Sequence, residues 1–184
     1  MKIIALLGKT TIGKYTAARF IKSTYEIEPI ISYATRPQRV GETNHVEHHF
    51  VNDEEMDKIV ADKESMLAFV QFPKTGYRYC ATTSDLEESA IRTYIIDPSG
   101  LQWLKNHRPD VEVVSIFFDL DEDIIRKRAM MRGDKAEDIE KRLNSEREMF
   151  ADFAASGNYD FRIDTNDTPD HINTEIMRVL NEML

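Results

Sequence analysis

Cysteine is nearly missing from this sequence. Cys80 stands alone among 184 residues, so no intrachain disulfide can form, and the chain suits a reducing compartment. Long apolar runs are missing too: none approaches the roughly 20 residues of a membrane span. Met1-Lys2 followed by Ile3 to Leu7 imitates the start of a signal peptide. That run is shorter than the roughly 7–15 residues of a signal core, and it ends at Gly8-Lys9. A buried first strand in a cytoplasmic protein is the expectation. Positive charge is also scarce. Lys and Arg number 24 against 33 Asp and Glu, a net charge of −9. The phosphate term therefore opposes broad binding to DNA, RNA or an anionic membrane. Isolated basic clusters remain able to hold one small anion. There is no internal repeat and no low-complexity stretch.

What is present is an ordinary globular composition, 41% apolar and 31% charged, enough for one domain with a small insertion. Continuous apolar runs at Ile3–Leu7, Tyr94–Ile96 and Val111–Phe118 suit parallel strands buried on both faces. Helical patterns follow each of them, at Tyr15 to Ser23, Leu101 to Asn106 and Asp121 to Met131. This alternation predicts an α/β fold with a parallel sheet flanked by helices. Ser84-Asp85-Leu86-Glu87 has capping-box spacing, and Thr168-Pro169 predicts the start of a last helix running to Met183. Between about residues 30 and 82 the texture turns β-rich, with strands expected at Met66–Phe72 and Tyr77–Thr82, a turn at Gly76, and another strand at Phe50-Val51. Asp134 to Glu148 alternates charges densely, as an exposed helix with little function on most of its surface would.

Gly8-Lys9-Thr10-Thr11-Ile12-Gly13-Lys14 is G-x-x-x-x-G-K between a strand and a helix. The glycines let the backbone curl so that its N–H groups face a phosphate. The lysine supplies a point charge, and the helix N-terminus adds its dipole. The pattern asks next for Ser or Thr to ligate Mg²⁺. Here the residue is Tyr15, whose hydroxyl stands too far from the backbone for that place. Thr16 follows, about 100° further round the helix. Asp97 ends the Tyr94–Ile96 run, where a carboxylate at the carboxyl end of a parallel strand could hold Mg²⁺ or its waters. A turn aspartate before Pro98 is the plainer alternative.

Ser32-Tyr33-Ala34-Thr35-Arg36-Pro37-Gln38-Arg39-Val40-Gly41-Glu42 closely resembles the S-x-T-T-R-x-x-R-x-G-E segment of guanylate kinases. The Gly8–Lys14 loop lies at the matching distance upstream. His48-His49-Phe50-Val51 resembles that family's Y-x-F-V, Arg132-Gly133 and Arg142-Leu143 its lid elements, and Tyr159-Asp160-Phe161 with Asn166-Asp167 its segment near the adenine. The resemblance spans the whole chain. It implies a phosphate-loop core (about 1–31, 83–125 and 158–184), a small β-rich part binding the nucleoside monophosphate (about 32–82) and a helical arginine lid (about 126–157). It further implies ATP and Mg²⁺, with Lys14, Arg132 and Arg142 acting on the transferring group. Gly8, Thr11, Gly13, Lys14, Thr16 and Asn166 would bind ATP. Ser32, Arg36, Arg39, Glu42, His48, Tyr79 and Ser99 would bind the acceptor, and Asp97 the metal. Small nucleotides are the implied partners, for a monomer or homodimer.

The residues support such chemistry independently. Phosphoryl transfer gathers negative charge on donor, moving group and acceptor, so cations must come from both sides. Arg36 and Arg39 form one basic cluster, able to fork onto one phosphate. Arg126, Arg128 and Arg132, with Arg142 beyond, form another. The departures from the family pattern gather at the acceptor base. Its guanine-reading glutamate and serine are here Ala68 and Ala81, an acidic residue is Ser99, and a phosphate-contacting tyrosine is His48. Alanines in a base-reading site reduce discrimination. Two other readings follow: a kinase of the same fold for another nucleotide or a sugar phosphate, and a catalytically weak binding module. His45, Glu47, His48 and His49 match no zinc spacing, Cys80 has no nucleophile's partner, and Met130, Met131 and Met149 are expected to pack at the hinge and core.

Overall fold

The structure, a computed structural model, describes residues 1–39, 41–72, 75–84, 86 and 90–184. The elements in chain order are β1 (Lys2–Leu7), α1 (Lys14–Tyr25), β2 (Tyr33–Ala34), β3 (His49–Phe50), α2 (Asp53–Ala61), β4 (Met66–Gln71), β5 (Arg78–Thr82), β6 (Ile91–Ile95), α3 (Pro98–His107), β7 (Glu112–Asp119), α4 (Glu122–Met131), α5 (Ala136–Ser156), β8 (Phe161–Asp164) and α6 (Pro169–Met183). The capping box expected at Ser84 to Glu87 needs Glu87, which lies outside the described residues.

One sheet has the order β6-β1-β7-β8, and all its pairings are parallel. Ile3 to Leu7 are completely buried because helices cover both faces. Alternation divides them. Ile4 and Leu6 pack with residues of α1, α4 and α6. Ile3, Ala5 and Leu7 pack with Leu101 and Leu104 of α3 and with Phe150 and Phe153 of α5. Each fully buried Ile or Leu contributes roughly 1.5–3 kcal/mol of transfer free energy. Leu6 pairs in register with Ile95, so the loops leaving β1 and β6 emerge side by side at one sheet edge. That edge is where open parallel sheets bind ligands.

The second sheet, order β3-β2-β5-β4, is mixed. β4 and β5 pair antiparallel through Gly76, which holds φ +73°. Helix α2, not anticipated above, backs this sheet. Met56 of α2 is fully buried and packs with Met66 and Cys80. Its start is a complete capping box: Asn52 Oδ1 accepts from Glu55 N at 2.9 Å and Glu55 Oε2 from Asn52 N at 2.8 Å. Thr168 caps α6 as expected, accepting from His171 N.

The charge-dense stretch from Asp134 to Glu148 is helical from Ala136, within α5, and mostly exposed as expected. It buries Ile139 and Leu143, as Phe150 and Phe153 are buried beyond it, and it departs from expectation in turning Glu146 onto the phosphate loop. Met130 and Met131 also depart from expectation, being 62% and 89% exposed at the end of α4 instead of packed.

Candidate active site

The loop between β1 and α1 adopts conformations that dictate its residues. Gly8 has φ +153°, and a Cβ there would lie 2.8 Å from the Phe118 carbonyl oxygen. Gly13, at φ +102°, turns the chain into α1. Both need glycine. Thr11 holds φ +63° without being glycine, and its hydroxyl is buried with no hydrogen-bond partner. A strained residue and an orphaned polar atom in one loop mark a place shaped for a ligand.

Lys14 folds back over the loop, its Nζ donating to the Gly8 carbonyl at 2.5 Å and the Lys9 carbonyl at 2.8 Å. Burial pushes its pKa down to about 8, against the opposing pull of Glu146 and Asp97 and with a further lowering by Arg39. Glu146 reaches in from α5, and its Oε2 accepts the Thr10 backbone N–H at 2.7 Å. A carboxylate thus sits where a phosphate oxygen would be cradled. Burial raises the Glu146 pKa despite Lys14, the Thr10 N–H and Arg142. Lys9 pairs with Glu122 at 2.9 Å, and Arg147 of α5 grips the same carboxylate at 2.7 Å.

Asp97 stands at the N-cap of α3, its Oδ1 accepting from Gly100 N at 2.8 Å. The plainer alternative, a turn aspartate before Pro98, describes this geometry. Burial raises its pKa against the Gly100 and Ser99 amides and the charge of Lys14. Among the described residues, no three His, Cys, Asp or Glu side chains group to hold a metal by themselves. One partly buried carboxylate beside a phosphate loop fits Mg²⁺, which keeps waters and shares its coordination with substrate phosphates.

The second sheet carries the other cations. Arg36 is 6% exposed. Its Nη1 and Nη2 each donate to a Glu42 carboxylate oxygen at 2.7 Å, and its guanidinium lies 5.2 Å from the Phe50 ring centre. The fork expected to face a phosphate is thus held by Glu42, and the Arg36 Nε is left buried without a partner. Glu42 also accepts from Arg39 N at 2.8 Å. Burial pushes the Glu42 carboxyl up, but these bonds outweigh it and hold the pKa low. The Arg39 pKa is lowered by burial, then by Arg36 and Arg142. Lys14, Arg36, Arg39 and Arg142 therefore share one repulsive field, which a bound anion would relieve. His48 lies among them, its pKa pushed down to about 4 by burial and Arg36. Its Nδ1 is 2.9 Å from Ser32 Oγ and its Nε2 3.1 Å from the Tyr15 hydroxyl. Tyr79 packs edge-on to the His48 ring at 5.7 Å, and burial raises its pKa against the nearby Arg36.

Other expected residues stand apart. Thr16 and Ser99 are exposed, and the Ser99 hydroxyl is 3.7 Å from Met149 Sδ. Arg132 is ion-paired with Asp134 at the exposed end of α4. Arg126 is spent on Glu122, Asp123 and Glu140, and Arg128 donates to the Thr165 carbonyl at 3.0 Å. Those two serve the fold and leave the expected cluster. Asn166 Oδ1 accepts from Asp121 N at 3.1 Å, and Asp160 fastens Ser115 of β7 through its N–H and hydroxyl. Ala68 and Ala81 face each other across β4 and β5 and are 2% and 0% exposed. His45 and His49 meet each other at 2.7 Å and Glu47 accepts from Thr43 N at 2.7 Å, so these side chains and His48 have different partners. Cys80 is fully buried, its thiol pushed up to about 12, which leaves no thiolate for nucleophilic work.

The family model for guanylate kinase matches residues 1–183. The chain belongs to the guanylate kinase family. It is 28% identical to a guanylate kinase of Thermobifida fusca over 188 aligned positions, covering 100% of this chain and 89% of that relative. It is 32% identical to one of Helicobacter pylori over 147 positions, covering 77% and 68%. The crystal structure of guanylate kinase from Anaplasma phagocytophilum matches the fold with a TM-score of 0.66 over 98% of this chain and 83% of that one, at 21% identity. As a guanylate kinase family member, this chain carries two site contacts that the sequence reading missed. Glu146 was passed over as one charge among many, although it sits four residues after Arg142 on the same face of α5. Tyr15 was noted only for what it fails to do. None of the described helices is long and apolar enough to cross a membrane.

Proposed function

We propose that this protein, an ATP-dependent nucleoside monophosphate kinase, transfers the γ-phosphoryl of ATP to GMP or dGMP in the cytoplasm. The observation carrying the proposal is the family match over residues 1–183, laid over a phosphate loop whose lysine shares one field with Arg39. The acceptor's phosphate oxygen attacks the γ-phosphorus, a P–O bond forms there, and the bond to the β–γ bridging oxygen breaks to release ADP. The acceptor oxygen is already an anion, so no general base is required. Gly8, Thr11, Gly13 and Lys14 would hold the donor phosphates, Lys14 exchanging its loop carbonyls for β and γ oxygens. The phosphate would displace Glu146 from the Thr10 N–H. Mg²⁺, held by Asp97 and waters, would neutralise charge on the β and γ phosphates. Residues 32–82 would form the acceptor part, with Ser32, Arg36 Nε, Arg39, His48 and Tyr79 about the acceptor phosphate and Glu42 fixing Arg36. Residues 126–157 would form the lid. Arg142 already lies within reach of Arg39's charge, whereas Arg132 must leave Asp134 to assist. Asn166 would border the adenine.

A coupled assay of ADP formation against GMP, dGMP, AMP, CMP, UMP and ribose phosphates tests the proposal. GMP and dGMP are expected as the acceptors, with one ADP per acceptor consumed. Transfer to none of them, or preference for an acceptor without guanine, overturns it.

A further inference from the structure

The residue after the phosphate-loop lysine normally turns a short hydroxyl toward the metal. In this chain that hydroxyl points elsewhere. The Tyr15 OH donates to the Glu47 carbonyl at 3.2 Å and lies 3.1 Å from His48 Nε2. His48 Nδ1 lies 2.9 Å from Ser32 Oγ. The rings of Tyr15 and His48 meet edge to face, 6.4 Å apart at 89°. Tyr15 lies in the first turn of α1, directly after the donor loop, whereas Ser32 and His48 directly precede β2 and β3 of the other sheet. The contact therefore spans the gap between the two halves of the site.

One proton arrangement satisfies every group in it. Ser32 donates to Nδ1, Nε2–H donates to the Tyr15 oxygen, and Tyr15 donates to the Glu47 carbonyl. Burial keeps the Tyr15 hydroxyl protonated, so it remains a donor. The chain of bonds runs in one direction with no donor left over, which suits a buried polar network. The groups are also surrounded by charge. Arg36, Glu42 and Arg39 all act on both Tyr15 and His48.

We infer that Tyr15 is an acceptor-positioning residue: through His48 it sets how far the acceptor phosphate site stands from the phosphate loop. The inference rests on the kinase reading above. In-line transfer needs the attacking oxygen roughly 3–3.5 Å from phosphorus, so a strut of fixed length between the two sites acts directly on the rate. The same geometry removes Tyr15 from the metal's surroundings. Losing its hydroxyl must therefore fall on the acceptor and not on ATP or Mg²⁺.

The test is steady-state kinetics of Tyr15→Phe, His48→Ala, His48→Gln and the Tyr15→Phe/His48→Ala double variant, with GMP titrated calorimetrically into each without ATP. Tyr15→Phe removes one hydroxyl and keeps the ring, so folding is preserved. Its kcat is expected to fall, because the in-line distance is no longer held, and its KM and Kd for GMP to rise about ten-fold, the worth of one good hydrogen bond, with the KM for ATP and the Mg²⁺ concentration for half-maximal rate unchanged. His48→Gln, which can place an amide donor near the Nε2 position, should recover much of what His48→Ala loses. The double variant should be no worse than the poorer single one. A Tyr15→Phe enzyme with GMP constants within two-fold of the parent overturns the inference. So does a rise confined to ATP or Mg²⁺. A parent that neither transfers to nor binds GMP removes the kinase reading, and the inference with it.

Discussion

Replacing Lys14 with methionine should abolish phosphoryl transfer and stabilise the free protein at neutral pH. Desolvation holds the Lys14 ammonium at a pKa of about 8, against the ordinary lysine value of 10.5. At pH 7 both folded and unfolded states carry the proton, and the whole desolvation cost is present. One pKa difference of this size amounts to about 3 kcal/mol. Methionine keeps most of the apolar stem and loses the bonds to the Gly8 and Lys9 carbonyls, worth about 1–2 kcal/mol. The net expectation is a gain of about 1–2 kcal/mol at pH 7. The sign of the pH dependence follows from proton counting. Between pH 8 and 10.5 the unfolded chain binds the proton and the folded one does not, so the parent's stability rises with pH in that window. By pH 9.5 the lysine cost falls to about 1 kcal/mol, and the variant's advantage shrinks by about 2 kcal/mol. Urea unfolding of both proteins at pH 7 and 9.5, read beside the coupled assay, measures this. Groups common to both proteins cancel in the difference. A variant less stable than the parent at pH 7, with an unchanging gap up to pH 9.5, would refute the reasoning, as would retained transfer.

Arg39→Ala should weaken every monophosphate acceptor by a similar factor, on the order of 10–100-fold for a charge-assisted contact; a loss confined to one base would make Arg39 a base reader instead. The parent's preference for GMP over AMP should be modest, because Ala68 and Ala81 bring no polar atoms to the place where they meet. Ala68→Glu should raise that preference and lower stability, since the position is 2% exposed and the new charge must find a partner. Competition kinetics with the two nucleotides reads the first effect, and exclusive GMP selectivity in the unmodified protein would show that other residues read the base.

The features legible in the sequence were those whose signals are local. The Ile3–Leu7 run ending in the glycine spacing announced β1 and its loop, and Thr168-Pro169 marked the start of α6. The capping box at Asn52 and Glu55 was equally local and was passed over, which cost α2. Strands β2 and β3 have two residues each, too few to show alternation. Their existence depends on pairing such as Tyr33 with Cys80, 47 positions away in the chain. The same holds at the site. Tyr15 was read against its neighbours as a missing metal ligand, because its partner His48 lies 33 positions on. Glu146 was hidden differently. In a helix dense with both charges, no pattern says which few turn inward, and only the docking of Phe150 and Phe153 decides it.

The division of β1 between two clusters makes its parity a ruler for the catalytic loop. Odd-numbered Ile3, Ala5 and Leu7 belong to one side and even-numbered Ile4 and Leu6 to the other. Sliding the strand by one residue would exchange the two sets, seating isoleucine where alanine fits and emptying volume on the opposite face. Sliding by two would restore parity but carry Gly8 about 6.6 Å along the sheet, away from the Phe118 carbonyl that leaves room for no side chain there. Intermediate heights do not exist. The position of the Gly8 turn, where the proposed donor phosphate would sit, is thus set in discrete steps by methyl groups away from it, and gradual drift in the surrounding helices cannot move it by a fraction of a step.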